Sequence, residues 1–248
     1  MPRSTTITLV AVRFAENVAD LRWLGELVAN VHVVVVNKGG PLLGLSPNVT
    51  VLDTHENICR EGFGYLWALD RLPLQGNGLV IFTQAKLKLK EPQAFNQWLA
   101  AVSAAQHREC FSFFGGVIPG RVSTITYGSS LPYLAGTNHG PGAAAFKNTT
   151  PGYRSQLICP NESWRQWTQR TQFGPGGTFA VSSSLLAKIP SSLIVDAMGE
   201  FRSSSTLWGP PHHSQRMYCM KEYVYERSWR RLLTRCNNSV PSCTNAPS

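Results

Sequence analysis

The chain has 248 residues, 43% of them hydrophobic and 10% aromatic, which is enough apolar material for one core near the upper size that a single domain supports. Lysine and arginine outnumber aspartate and glutamate by 23 to 14, giving a net charge of +9 and a pI of about 9.5, so the surface carries a field that attracts polyanions such as RNA. No stretch approaches the roughly 20 apolar residues needed to cross a bilayer, and residues 1–12 lack a signal h-region, so a soluble cytoplasmic protein with no membrane partner is expected.

The opening reads as a βαβ unit. Ile7 to Val12 is a β-rich run, Ala19 to Asn30 carries Leu21, Leu24, Leu27 and Val28 at helical spacing, and Val31 to Val36 is almost continuously apolar. A run like Val33-Val34-Val35-Val36 suits a strand covered on both faces, the habit of parallel sheets flanked by helices. Asn37-Lys38-Gly39-Gly40 breaks that strand at its carboxyl end, where open α/β sheets hold their ligands. A third strand, Val49 to Leu52, leads through Asp53-Thr54-His55-Glu56 into Asn57-Ile58-Cys59-Arg60-Glu61-Gly62, and the helix from Gly62 to Leu72 is stopped by Pro73. Leu79 to Thr83 is a fourth strand, ending at Gln84; Glu91 to Ala105 places Phe95, Trp98, Leu99 and Val102 on one helical face.

Residues 115–152 are rich in Gly, Pro, Ser and Thr and read as an irregular insertion over the sheet, a candidate substrate lid. Helical pattern resumes from Glu162 to Arg170. Gly176 to Ser182 reads as a late strand, two short helices flank Pro190, and a final helix runs from Gln215 to Arg235. The polar tail, 236–248, is expected to fray. The fold class expected is α/β, a single domain over 1–235 with a mostly parallel, Rossmann-like sheet flanked by helices.

Six dispersed cysteines (Cys59, Cys110, Cys159, Cys219, Cys236, Cys243) show no C-x-x-C spacing, and reduced thiols are the simpler expectation. Asn48-Val49-Thr50, Asn148-Thr149-Thr150, Asn161-Glu162-Ser163 and Asn237-Asn238-Ser239 match the glycosylation pattern, which acts only on a secretory route. His212, His213 and Cys219 lack a second ligand pair for zinc, so no metal and no cofactor are expected. Phosphate-loop, G-x-G-x-x-G, nucleophile-elbow and H-E-x-x-H patterns do not occur.

Arg60 and Glu61 stand at a helix start, where free N–H groups and the positive dipole end favour charged ligands; capping by Glu61 with a solvated Arg60 is the plain alternative. Lys38 beside two glycines suits an anion, or a simple turn. Gln84 is polar at the end of an apolar strand. Lys86, Lys88 and Lys90 alternate with leucines, as a phosphate-contacting strip or as the defended edge of a sheet. On the last helix Arg227, Arg231 and Arg235 recur at four-residue steps, while Glu222 and Glu226 stand one turn apart, either in surface ion pairs or as a pair reading a guanidinium or ammonium group.

Taken together, Val35-Val36-Asn37-Lys38-Gly39, Asn57-Ile58-Cys59-Arg60-Glu61-Gly62-Phe63-Gly64-Tyr65-Leu66, Val80-Ile81-Phe82-Thr83-Gln84, Gly177-Thr178-Phe179-Ala180-Val181-Ser182 and Glu226-Arg227-Ser228-Trp229 resemble a family of mostly fungal proteins of glycosyltransferase-like shape. Cys59 stands where that family usually has glycine. Members with an assigned activity are arginine-containing cyclodipeptide synthases, which use arginyl-tRNA and a second aminoacyl-tRNA to make a cyclic dipeptide in secondary metabolism. The resemblance implies a glycosyltransferase-A-like fold, aminoacyl-tRNA partners and an aminoacyltransferase site; no protein partner is evident from the sequence. In that site Glu61 and Glu226 serve recognition or proton transfer and Arg60 contacts an anion. Asn57, Tyr65 and Gln84 position the ester, with Asn37, Lys38, Glu222 and Ser182 as further substrate contacts. Lys86, Lys88, Lys90, Arg227, Arg230 and Arg231 are the tRNA-backbone candidates. Two rivals stay open: a metal-independent glycosyltransferase-like enzyme, although sugar-nucleotide transferases that need a metal usually carry Asp-x-Asp and none occurs here, and a non-catalytic RNA-binding domain.

Overall fold

A computed structural model describes residues 6–14, 16–25, 27, 31–54, 56, 58, 61–73, 78–86, 92–104, 109–114, 177–204, 229–230, 232–235, 237 and 239–244. The expected insertion at 115–152, the helix at 162–170 and residues 215–228 of the last helix lie outside these.

Four strands, β1 (Ile7–Arg13), β2 (Val31–Asn37), β3 (Val49–Asp53) and β4 (Leu79–Gln84), run parallel, and β5 (Phe111–Phe113) and β6 (Phe179–Ser182) complete a six-stranded sheet ordered β3-β2-β1-β4-β6-β5. β6 is antiparallel to both of its neighbours. The fold is therefore α/β with a mixed, mostly parallel sheet. Strand order turns around between β1 and β4, whose carboxyl ends form the crevice where such sheets bind ligands.

The valine-rich strands are buried on both faces because helices cover both. One face packs Val10, Val12, Val34, Val36 and Phe82 against α2 (Glu61–Arg71) and α5 (Ser191–Ser204). The other packs Leu9, Ala11, Val33, Val35 and Ile81 against α1 (Arg22–Gly25) and α3 (Pro92–Ala104), with the short α4 (Ser183–Leu186) following β6. Alternate residues of each strand serve opposite cores, as the period of two requires.

Several expectations are corrected. The first helix, expected over 19–30, is a 3-10 turn at Val18–Leu21 followed by α1, which closes at Gly25, a poor helix former. α5 is a 14-residue helix rather than a short one. β5 was not expected; three residues carry too little alternation to stand out. The tail is not frayed where it is described: Val240 and Cys243 are buried, Phe111 N donates to Pro241 O at 3.0 Å, and Cys243 N donates to Ser112 Oγ at 2.7 Å. The segment 239–244 thus lies along β5. Cys110 and Cys243 are not reduced thiols but form a disulfide across 133 residues of sequence, joining this segment to the core.

Candidate functional site

The parallel register brings the last residues of four strands into one row. Arg13 pairs with Asn37, Asn37 with Asp53, and Val12 with Gln84. All of these positions lie at the carboxyl edge.

Asn37 organises the row. Its Oδ1 accepts from Arg13 Nη1 at 2.7 Å and from Gly39 N at 3.2 Å, while Nδ2 donates to Asp53 Oδ1 at 2.6 Å and to Gly40 O at 3.1 Å. That uses both donors and both acceptor positions of the carboxamide, so the Asn37 side chain has no bond left for a substrate. The expected substrate contact is instead the post that shapes the turn. Gly39 follows for a steric reason: a Cβ there would stand 2.0 Å from Phe14 O and 2.8 Å from Arg13 Nη1. Arg13 also donates from Nε to Glu16 O at 2.9 Å and from Nη1 to Gly40 O at 2.7 Å.

Lys38 turns inward. It is 5% exposed, its ammonium lies 4.7 Å from the centroid of the Phe14 ring, and Nζ donates to Ile58 O, which ties the β2 turn to the segment leading into α2. Nearby, Thr54 Oγ1 accepts from Glu56 N at 3.1 Å, and Glu56 accepts both Arg202 Nε at 2.9 Å and Nη2 at 2.8 Å. The Arg202 hydrogen bonds hold the Glu56 carboxyl below its ordinary pKa and the guanidinium above its own. α5 is thereby fastened to the β3–α2 connection.

Glu61 is the first residue of α2 and only 5% exposed. One turn later Gly64 touches β1, where a Cβ would meet Val12 Cγ2 at 2.7 Å and Cγ1 at 2.8 Å. This close approach lays the first turns of α2, with Glu61, against the carboxyl-end half of β1; Gln84, 8% exposed, ends the neighbouring β4. The buried Thr83 hydroxyl lies beneath, 3.3 Å from that of Thr178 at the entry to β6. On the opposite face of the sheet, Trp23 Nε1 donates to Ala85 O at 3.1 Å, pinning the turn after β4 to α1.

Other expected site residues are not brought here. Tyr65 is fully buried in the core, its ring edge-on to Phe82 (5.1 Å), Phe179 (5.7 Å) and Trp229 (5.7 Å), so it does not front the edge. Ser182 pairs with Leu79, the first residue of β4, because β6 runs backwards; it is five residues, about 17 Å, from Gln84 along the strand direction. Its Oγ accepts from Cys110 N at 3.3 Å and Ser184 Oγ at 3.2 Å. Thr178, at the other end of β6, takes the place at the carboxyl edge that an all-parallel sheet would have given Ser182.

Arg230 donates from Nη2 to Val240 O at 2.8 Å and stacks 5.7 Å from the Phe111 ring; burial pushes its pKa below the ordinary arginine value. It holds the segment 239–244 rather than presenting a free charge to a tRNA backbone. Lys86 does not continue an extended strip: Ala85 and Lys86 form a turn, and Nζ lies 4.0 Å from Glu16 Oε1 with 43% of the side chain exposed. Asn57, Arg60, Lys88, Lys90, Glu222, Glu226, Arg227 and Arg231 lie outside the described residues.

Sequence reasoning missed Arg13 and Asp53, whose signal was available: each is a polar residue ending an apolar strand, as Gln84 is. Among the described residues no group of three metal-ligating side chains occurs and no helix is long and apolar enough to cross a membrane. In comparison with known proteins, the chain matches no family model and no curated protein.

Proposed function

We propose that this edge joins two aminoacyl esters of tRNA, one of them arginyl, into a cyclic dipeptide, the protein being a tRNA-dependent cyclodipeptide synthase of glycosyltransferase-A-like fold. The observation that carries the reading is a carboxylate, Glu61, kept 5% exposed in the first turn of α2, the helix that packs through Gly64 on Val12 near the carboxyl end of β1. A carboxylate held at that position suits an ammonium or guanidinium group and, after proton transfer, an amine nucleophile.

In the reaction Glu61 takes a proton from the α-ammonium of one aminoacyl ester. The amine attacks the carbonyl of the other, a C–N bond forms, and the ester C–O bond breaks with its electron pair leaving on the tRNA hydroxyl oxygen, which is then protonated. The free α-amine of the resulting dipeptidyl ester repeats the attack on its own ester and closes the ring. No external energy source is needed, because each amide replaces an activated ester. Gln84 supplies an amide donor at the strand end for the ester oxygen, and alignment contributes up to about 7–11 kcal/mol in favourable cases. Arg60, Asn57 and Glu226 keep the roles that the resemblance implies.

The test is expression in a bacterial host with mass spectrometry for arginine-containing diketopiperazines, followed by reconstitution with charged tRNAs and a ribonuclease control. The expected outcome is a ribonuclease-sensitive product that Glu61→Gln reduces by about 100-fold or more. Absence of product, or a product indifferent to ribonuclease, overturns the proposal.

One observation favours a second reading. The Cys110–Cys243 disulfide suits an oxidising compartment, where sugar-nucleotide chemistry is at home and charged tRNA is not. Turnover of a sugar nucleotide without RNA would select the glycosyltransferase-like alternative.

A further inference from the structure

The aminoacyl chemistry above leaves one part of the edge unused, the Arg13–Asn37–Asp53 row. Arg13 is 9% exposed and held by three hydrogen bonds, all from Nε and Nη1. Nη2 has no partner among the described residues and is not sealed from solvent. A purely structural role accounts for Nε and Nη1 and leaves Nη2 unexplained. Asp53 is the mirror case: Oδ1 accepts from Asn37 Nδ2 at 2.6 Å, while Oδ2 has no partner among the described residues and the residue is exposed.

A guanidinium and a carboxylate on strands this close would ordinarily meet in an ion pair. Here the Asn37 carboxamide stands between them, bonded to each, so neither charge is spent on the other. The two groups stand two strands apart, about 10 Å between main chains, with one carboxamide separating their bonded atoms.

We propose that this row binds a ribonucleotide, its phosphate on Arg13 Nη2 and a ribose hydroxyl donating to Asp53 Oδ2. A guanidinium already fixed in orientation suits a phosphate oxygen, and a carboxylate at a strand end of an α/β sheet is a fitting acceptor for a ribose hydroxyl. The inference rests on the reading of this edge as a substrate site and deepens it. In an aminoacyl-tRNA the group held is the 3′-terminal nucleotide, whose free vicinal hydroxyl adjoins the ester and whose 5′-phosphate keeps one negative charge. A free nucleotide, such as that of a nucleotide sugar, offers the same two handles.

Calorimetric titration of the full chain with adenosine 5′-monophosphate, its 2′,3′-dideoxy analogue and adenosine tests the proposal. The monophosphate is expected to bind about tenfold or more tightly than either ligand lacking one handle. Asp53→Asn, which keeps an acceptor for Asn37, should abolish the preference for the ribose over the dideoxy form and leave the phosphate preference intact. Arg13→Lys should do the converse. Because Arg13 also anchors the turn, the comparison of ligands on the unaltered chain and the Asp53 variant decide the matter if the Arg13 variant does not fold. Equal binding of all three ligands, no binding, or an unchanged preference in Asp53→Asn overturns it.

Competition by an RNA stem ending in CCA identifies RNA as the source, and competition by a nucleotide sugar identifies a free nucleotide; either supports the row. Nucleotide binding that depends on Asp53 without any cyclic dipeptide keeps the row and removes the aminoacyl transfer. Undiminished cyclic dipeptide from Asp53→Asn and Arg13→Lys, with nucleotide binding unaffected, removes the row and keeps the transfer.

Discussion

Asn37 shows how one side chain can organise a sheet edge with every one of its hydrogen bonds made inside the chain. All four of its hydrogen-bonding positions are used within the chain, linking Arg13, Gly39, Gly40 and Asp53. Removing the carboxamide leaves partly buried donors and an acceptor unmatched, which costs more than the bonds themselves contribute. Asn37→Ala is expected to lower stability by about 1–3 kcal/mol in urea unfolding. It should also let Arg13 and Asp53 approach one another and so weaken any ligand that depends on both. Gly39→Ala is the more severe change, since no side-chain movement relieves a contact of 2.0 Å with the Phe14 carbonyl oxygen. Its folded yield should fall well below that of the parent chain.

At the level of elements, the placement of Glu61 depends on how closely α2 lies on β1. Gly64 permits that approach, and Gly64→Ala would drive a methyl against both Cγ atoms of the fully buried Val12. We expect a loss of about 1–3 kcal/mol by overpacking. The transfer activity proposed above should fall further than the stability loss explains, because α2 and Glu61 shift together; kcat measured on the folded fraction checks this. The tether between α5 and the β3–α2 connection adds a pH dependence. Because the Glu56 pKa is depressed in the folded chain, its contribution is present in full above the ordinary glutamate value of about 4.3 and is lost as pH falls through the folded value. Side-chain exposures of 43% for Arg202 and 31% for Glu56 keep it below about 1 kcal/mol. Arg202→Met should therefore destabilise the protein slightly at pH 7 and leave its stability unchanged once the carboxylate is protonated, measured by unfolding across that range.

For the whole molecule, the far edge of the sheet is closed by sequence from the far end of the chain. The disulfide, the Arg230 bonds and the pairing of Phe111 with Pro241 all hold the segment 239–244 against β5, which covers an edge otherwise open to strand addition. Peptide mapping without reduction should recover Cys110 linked to Cys243. Reduction, or Cys243→Ser, should lower stability by about 2–5 kcal/mol, read as a drop in Tm. A chain whose Tm is indifferent to reductant would show that the link does not support the fold. The same link weighs against the reduced, cytoplasmic setting that dispersed cysteines suggest, because disulfides persist where the surroundings are oxidising.

The sequence by itself determined the parallel half of the sheet and the start of α2. Val33 to Val36 and Leu79 to Phe82 can be satisfied only by burial on both faces, and Pro73 bounds the helix, so those elements follow from local pattern. It also marked Gln84 and Glu61 as polar groups at strand and helix ends, a placement that the register bears out. Tertiary structure alone decided which polar residues reach the carboxyl edge and which turn inward. Tyr65 goes to the core and Ser182 to the opposite edge because packing and strand direction, unlike periodicity, are set by partners far away in sequence. Lys38 and Arg230 are turned inward by main-chain carbonyls that no local pattern reveals. Arg13 and Asp53 became neighbours of Asn37 only through a register between three strands, since hydrogen bonding across a sheet joins residues that the chain itself keeps apart.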